Sequence, residues 1–223
     1  MTMADAPPPS VPVETDVVVI GGGPAGETAA GRCADGGLDV VLVEVELVGG
    51  ECSYWGCIPS KTLLRPGDVV AAARRTPGAA AAVTGAVDVA AALGRRDYMT
   101  SNWSDEGQLP WLEQHRIRLV RGRARIDGPG RVAVASADGE RVAITARVAV
   151  VVATGSEAVV PPITGLAEAR PWDNRGATAA KDVPRRLVVL GAGAVGLELA
   201  QAFRRLGSEQ VTVVDAAVAL MAR

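Results

Sequence analysis

The sequence predicts an α/β fold with two parallel βαβ units, one near each end, and an antiparallel meander inserted between them. Three observations carry this. The apolar run Asp16 to Ile20 leads into Gly21-Gly22-Gly23-Pro24-Ala25-Gly26 and a helix-like stretch to about Ala34. A second run, Arg186 to Leu190, leads into Gly191-Ala192-Gly193-Ala194-Val195-Gly196 and a helix through about Leu206. Between them, from Arg116 onward, short alternating runs (IRLVRG, RVAVAS, RVAIT) are punctuated by Gly and Asp turns, the texture of antiparallel strands.

Taken in order, residues 1–13 are Pro-rich and read as a flexible tail, with no basic region followed by an apolar one. The strand at Asp16 to Ile20 opens a first unit over residues 14–165. Gly21 makes the tight turn, Gly23 lets a pyrophosphate approach the backbone, and Gly26 lets the helix pack on the strand. The helix start offers unsatisfied N–H groups to phosphates. A second apolar run, Asp39 to Val43, ends at Glu44, 23 residues past Gly21, where an acceptor for ribose hydroxyls belongs.

Pro59 to about Arg75 and Val87 to about Asn102 read as helices of the insertion, before the meander. Val148 to Ala153, stopped by Thr154-Gly155, reads as a buried parallel strand returning to the first sheet. Residues 166–183 read as the crossing into a second unit, 184–223. There Gly191, Gly193 and Gly196 repeat the turn, and Asp215 follows Gly191 by 24 residues. A lone GxGxxG also occurs in loops without a ligand. Two copies, each with strand, helix, strand and an acid on schedule, predict two Rossmann-like dinucleotide sites.

Composition bounds the function. At 223 residues and ~150 per domain, the chain holds about one and a half domains. A hydrophobic share of 48% excludes a disordered chain. A net charge of −2 without a dense basic run argues against nucleic acid, and no apolar run is long enough to span a membrane. Three cysteines make no disulfide framework, and without a targeting segment the cytoplasm is the expected location.

Two of those cysteines mark the most informative segment, Gly49-Gly50-Glu51-Cys52-Ser53-Tyr54-Trp55-Gly56-Cys57-Ile58-Pro59-Ser60-Lys61. Over five residues a regular helix rises ~7.5 Å, too far for a disulfide, so a bridge needs an irregular turn. Gly56 at the bend, with Pro59 in a first helical turn, can provide one. Two unrelated buried thiols, or half of a metal site, are the alternatives. Only Cys33 and His115 remain as further zinc ligands, so no metal is expected. Cys33 reads as a small hydrophobe of the first glycine-turn helix.

With these motifs the sequence resembles the flavin-dependent pyridine nucleotide-disulfide oxidoreductases, which include dihydrolipoamide dehydrogenase, mercuric reductase and glutathione reductase. The resemblance runs through GGGPAG, VVLVE, GGECSYWGCIPSK, ATGS and GAGAVGLELA, nearly the whole chain. Ile58-Pro59-Ser60-Lys61 is similar to the lipoamide and mercuric branch. Tyr54-Trp55 departs from the usual small-apolar and Asn pair, so the surroundings of the cysteines are atypical.

The resemblance implies FAD on the first fold, held by Gly21, Gly23, Gly26 and Glu44, with Ala124 near the adenine and Thr154-Gly155 near the flavin. It implies a redox disulfide in which Cys57 faces the flavin and Cys52 attacks substrate. It places Lys61 beside the flavin, paired with Glu198; read without it, these two are a surface lysine and a solvated helix acid. The second fold then takes the nicotinamide cofactor through Gly191, Gly193, Gly196 and Asp215. Asp215 favours a ribose 2′-hydroxyl, and residues 216–222 contain no Arg to receive a 2′-phosphate, which favours NAD over NADP. A small disulfide or related redox molecule is the implied substrate, and the full-length family form is a homodimer.

Only 33 residues, counted inclusively, run from Gly191 to Arg223, enough for one βαβ unit. The resemblance implies further segments: the rest of the nicotinamide fold, the completion of the flavin fold, and a dimerisation domain with the catalytic His-Glu base. The chain therefore reads as the N-terminal portion of such an enzyme, and a non-catalytic flavin-binding remnant is the competing expectation.

Overall fold

The computed structural model describes residues 13–221. In chain order the elements are β1 (Val13–Ile20), α1 (Pro24–Asp35), β2 (Val40–Glu44), α2 (Gly50–Tyr54), α3 (Cys57–Arg75), α4 (Val89–Met99), α5 (Leu109–Gln114), β3 (Arg118–Arg121), β4 (Arg123–Ile126), β5 (Arg131–Ala135), β6 (Arg141–Val152), α6 (Asn174–Thr178), β7 (Arg186–Leu190), α7 (Ala194–Leu206) and β8 (Gln210–Val214). Contacts divide them into two units: the chain up to Cys52 with Ser104–Ser156, and Ser53–Trp103 with Glu157 onward. Residues 1–12 of the expected tail lie outside the described residues, and Val13 begins β1.

The first unit is a six-stranded sheet in the order β3-β2-β1-β6-β5-β4. β3, β2, β1 and β6 are parallel, whereas β6, β5 and β4 pair antiparallel. Alternation along β1 and β2 sends side chains to two cores. Val17, Val19, Val40 and Leu42 pack with Ala30 of α1 and Leu112 of α5. Val18, Ile20, Val41 and Val43 pack with Val132, Val134 and Ile144 of the antiparallel strands. Both faces of these two strands are thus buried, which is why they read as continuous apolar runs.

Three expectations need correction. The run IRLVRG does not join the meander: β3 pairs parallel with β2, Val41 opposite Arg118 through Glu44 opposite Arg121. Alternation decides which face a residue occupies and not which strand it joins. RVAIT and the returning run form one continuous strand, β6, whose pairing with β1 shifts register between Thr15 and Val17. That strand is also not buried throughout, since Val148 and Val152 are 64% and 59% exposed. A fully apolar run does not by itself supply the layer that would cover it.

The second unit packs α3, α4 and α7 through Leu63, Ala92, Ala202 and Leu206. β7 and β8 form a separate two-stranded parallel sheet. Leu187 of β7 packs with Leu199 and Phe203 of α7. α4 starts where the Asp88 carboxylate accepts the Ala91 N–H at 3.0 Å. It ends at Met99, short of the expected Asn102, and Ser101, Asn102 and Trp103 turn left-handed with φ of 51°, 51° and 56°. Within the expected crossing, Asp173 caps α6 by accepting the Gly176 N–H at 2.7 Å. No described helix is long and apolar enough to cross a membrane.

Candidate functional site

The first glycine turn is closed by sterics. Gly21 has φ +100°, and a Cβ there would lie 2.3 Å from Ala153 O. A Cβ on Gly26 would lie 1.8 Å from Gly21 O, so the helix can approach the turn this closely only without a side chain. Gly23 caps α1 with no side-chain hydrogen bond, leaving the first-turn N–H groups to an outside acceptor. Glu44 is buried at the end of β2, where its Oε2 accepts the Gly22 N–H at 2.6 Å and its Oε1 accepts the Glu46 N–H at 2.7 Å. Each carboxylate oxygen retains a lone pair for a ribose hydroxyl.

Thr154 and Gly155 follow one residue after the end of β6, beside this turn: the Cβ built on Gly21 falls 3.1 Å from Thr154 Cα. Ala124 sits on β4 opposite Val134, half-buried against the core shared with β1 and β2. These residues fit an FAD pyrophosphate and ribose: a side-chain-free turn, open helix N–H groups and a fixed acid. Deeper in α1, Cys33 packs against the α1-side core.

The second turn repeats the construction. Gly191 has φ +105°, and a Cβ on Gly196 would lie 2.3 Å from Gly191 O. Gly193 caps α7 with open space where a Cβ would stand. Asp215 Oδ2 accepts the Ala192 N–H at 2.6 Å and Oδ1 accepts the Ala217 N–H at 2.7 Å. Beside the turn lies a largely apolar cavity of about 650 Å³ that Val188, Leu190, Gly193 and Val195 help to line.

In the cysteine segment, α2 carries Cys52 and α3 begins at Cys57, with Trp55 and Gly56 between the two helices. Gly56 (φ −115°, ψ −103°) makes the irregular turn expected there. Cys52 is half-buried and Cys57 is an exposed thiol. One turn into α3, Lys61 Nζ donates to Glu198 Oε2 of α7 at 2.5 Å. Among the described residues no three metal-ligating side chains gather.

Sequence reasoning missed the groups behind this turn. Arg96 is buried and donates through Nη1 to Thr178 O and Ala180 O at 2.5 and 3.0 Å. Trp103 donates through Nε1 to Tyr54 O at 3.1 Å, and Arg175 stacks 4.0 Å from the Trp55 ring centre. The signal for them was the scarcity of aromatics: only four tryptophans occur, and each makes a ring contact. Two carboxyls elsewhere are displaced in opposite directions. Burial pushes Glu27 of α1 up from the usual carboxylate range. The Asp39 N–H, then the Arg147 guanidinium, hold Asp16 below it.

Comparison with known proteins agrees with this geometry. The family described as pyridine nucleotide-disulphide oxidoreductase matches residues 15–223. Dihydrolipoyl dehydrogenase 3 of Pseudomonas aeruginosa is 41% identical over 203 residues, 90% of this chain and 43% of that protein. Mercuric reductase of Staphylococcus aureus is 34% identical over 87% of this chain and 35% of its own length. Among solved structures, the Cu(II) complex of the HOCl-induced flavoprotein disulfide reductase RclA from Escherichia coli superposes with a TM-score of 0.79 at 28% identity. It covers 94% of this chain and 44% of that one. The chain spans less than half the length of these relatives, corresponding to an N-terminal portion of such enzymes. The chain belongs to the pyridine nucleotide-disulphide oxidoreductases, a family of FAD-dependent enzymes that use NAD(P)H.

Proposed function

We propose that this chain forms the flavin and disulfide portion of an oxidoreductase that moves electrons between NAD(P)H, FAD and a Cys52–Cys57 disulfide, as dihydrolipoyl dehydrogenases do. The observation that carries it is the placing of Cys57 at the first residue of α3, with the Lys61–Glu198 ion pair one turn on. In balance, NADH, a proton and the disulfide give NAD⁺ and the dithiol. When bound, FAD supplies the two-electron relay between nicotinamide and sulfur.

The chain's own groups orient that relay. Gly21, Gly23 and Gly26 with Glu44 hold pyrophosphate and ribose, Ala124 borders the adenine, and Thr154-Gly155 border the flavin. Lys61, its ammonium fixed by Glu198, would hold a positive charge beside the bound flavin. Cys57 would be the thiol on the flavin side, and Cys52 the thiol that would attack a small disulfide or related substrate. Gly191, Gly193, Gly196 and Asp215 take the nicotinamide cofactor, NAD in preference to NADP, because Asp215 repels a 2′-phosphate. Residues 14–165 would then be the flavin domain, 166–183 the linker and 184–223 the opening of the nicotinamide domain. The full-length enzyme is a cytoplasmic homodimer in this reading.

One observation favours a second reading, a flavin-binding remnant without turnover. His115 is the one histidine of the chain, and its Nδ1 lies 2.9 Å from Trp111 O with its ring tilted against Trp111, centres 4.5 Å apart. Both ring nitrogens thus face groups of α5 and α1, with Nε2 3.7 Å from Asp35 Oδ1. Denaturing the purified protein and chromatographing the supernatant tests the flavin reading: FAD is expected, and FMN, or no flavin even from a longer form, would overturn it. Adding NADH with lipoamide separates the two readings by whether turnover follows.

A further inference from the structure

The stretch between the cysteines is held by its backbone carbonyls. Trp103 Nε1 donates to Tyr54 O at 3.1 Å. Asn174 Nδ2 reaches Trp55 O at 3.4 Å, and the Thr178 hydroxyl lies 3.1 Å from the same oxygen, its one proton shared with Asn174 O at 2.8 Å. The Arg175 guanidinium covers the Trp55 ring at 4.0 Å. Two consecutive carbonyls and the intervening ring are therefore gripped from α6 and from Trp103.

The grip is itself anchored. Ser101, Asn102 and Trp103 are three successive left-handed residues. That conformation costs ~1–2 kcal/mol per residue for a side chain larger than glycine, and Asn alone tolerates it well. It is maintained where surrounding contacts over-determine it. Here those contacts are Arg96 at 5.4 Å and Lys181 at 4.6 Å from the Trp103 ring centre, with the indole N–H on Tyr54 O. The buried Arg96 guanidinium in turn holds Thr178 O and Ala180 O at the end of α6.

We infer that Trp103 and Arg175 are positioning residues for the redox turn: they fix Tyr54-Trp55-Gly56, the segment that a Cys52–Cys57 bridge has to span. The inference rests on the proposed Cys52–Cys57 disulfide. Closing it forms one S–S bond and releases two protons and two electrons to an oxidant, here the oxidised thiol reagent of a redox buffer. A loop restricted before closure loses less conformational freedom on closing, so the clamp raises the effective concentration of one sulfur at the other.

The test is the equilibrium of the intact 223-residue protein with oxidised and reduced dithiothreitol, read by alkylation and peptide mass spectrometry. Trp103→Phe keeps an aromatic ring and removes the indole donor; Arg175→Gln removes the cation and Arg175→Lys keeps it. Each of the first two should lower the closing equilibrium about tenfold, near 30 mV for a two-electron couple. Arg175→Lys should stay within twofold of wild type. A wild-type disulfide whose equilibrium moves less than twofold in both W103F and R175Q would overturn the clamp alone. A wild type with no Cys52–Cys57 bond at any ratio of the buffer would overturn the disulfide reading and the clamp with it. If W103F does not fold, R175Q against R175K decides the matter.

Discussion

Lys61 and Glu198, 137 residues apart in the chain, meet at 2.5 Å between α3 and α7. Their side chains are 62% and 35% exposed, so the pair adds little to stability, about 0–1 kcal/mol once solvent screening is counted. A function in charge placement is different, because it acts on the reacting group. Lys61→Met should change the unfolding free energy in urea by less than ~1 kcal/mol and slow NADH reduction of bound flavin by tenfold or more in stopped flow. A loss of several kcal/mol with unchanged flavin reduction would make the pair a structural tie.

The glycine turn gives a second prediction. Gly26→Ala places a Cβ 1.8 Å from Gly21 O, so backbone must move, at a cost of ~1–3 kcal/mol or more and with loss of retained flavin. Gly94, exposed in α4 with nothing within 4 Å, is the control. Gly94→Ala should raise stability by about 0.5–1 kcal/mol through helix propensity. Thermal melts of both variants, with flavin content measured on each, check the contrast.

pH should separate Glu27 from Asp16. Glu27 is raised by burial, so the folded protein binds its proton more readily than the unfolded chain. Its contribution is therefore most favourable below the unfolded value near 4.5 and declines as pH rises through the folded value. Glu27→Gln should stabilise at neutral pH, with the gain vanishing in acid. Asp16 is lowered, so its contribution is present above the ordinary carboxylate range and lost as pH falls through its folded value. Asp16→Asn should destabilise at neutral pH, with the difference closing in acid. Urea midpoints across the acid range give both slopes, and parallel curves for variant and wild type would contradict them.

How far the sequence is legible follows from the range of each interaction. The two glycine turns are local: strand, turn, helix and acid lie within about 30 residues, and each acid is found on the N–H of the turn's second residue. β3 is not local. Its partner β2 lies far upstream, and nothing in IRLVRG distinguishes a parallel neighbour from an antiparallel one. The contacts on Tyr54 O and Trp55 O are less legible still, since Trp103 and α6 reach them by single side chains that leave no periodic trace. Sequence shows that Tyr54-Trp55 is unusual; only the fold shows what receives it.

Cysteine mapping follows from burial. Cys33 packs on the core beside Ala30, whereas Cys57 is exposed at a helix start. Non-reducing peptide mass spectrometry of air-oxidised protein should find Cys52 linked to Cys57 and Cys33 alkylated only after unfolding. A bridge to Cys33 would contradict this arrangement.

The sheet of β7 and β8 yields the last prediction. Its register sets Val188 opposite Thr212 and Leu190 opposite Val214, and one parity along each strand is exposed. Val188, Leu190 and Val214 are 64%, 47% and 49% exposed, a cluster of aliphatic side chains on one face. The opposite parity is half-buried, with Leu187 packed on α7, so the strands are held from one side only. Two strands with one open apolar face are marginal in water and invite pairing with another chain. The 223-residue protein should therefore self-associate in proportion to concentration. Val188→Thr with Val214→Thr keeps β-branching while removing apolar surface, and should raise the monomer fraction in analytical ultracentrifugation and lower hydrophobic-dye binding. Lys61, Glu198 and their ion pair lie on α3 and α7 and should be unaffected, so bound flavin serves as the folding control. Equal association of the double variant and wild type would place the sticky surface elsewhere.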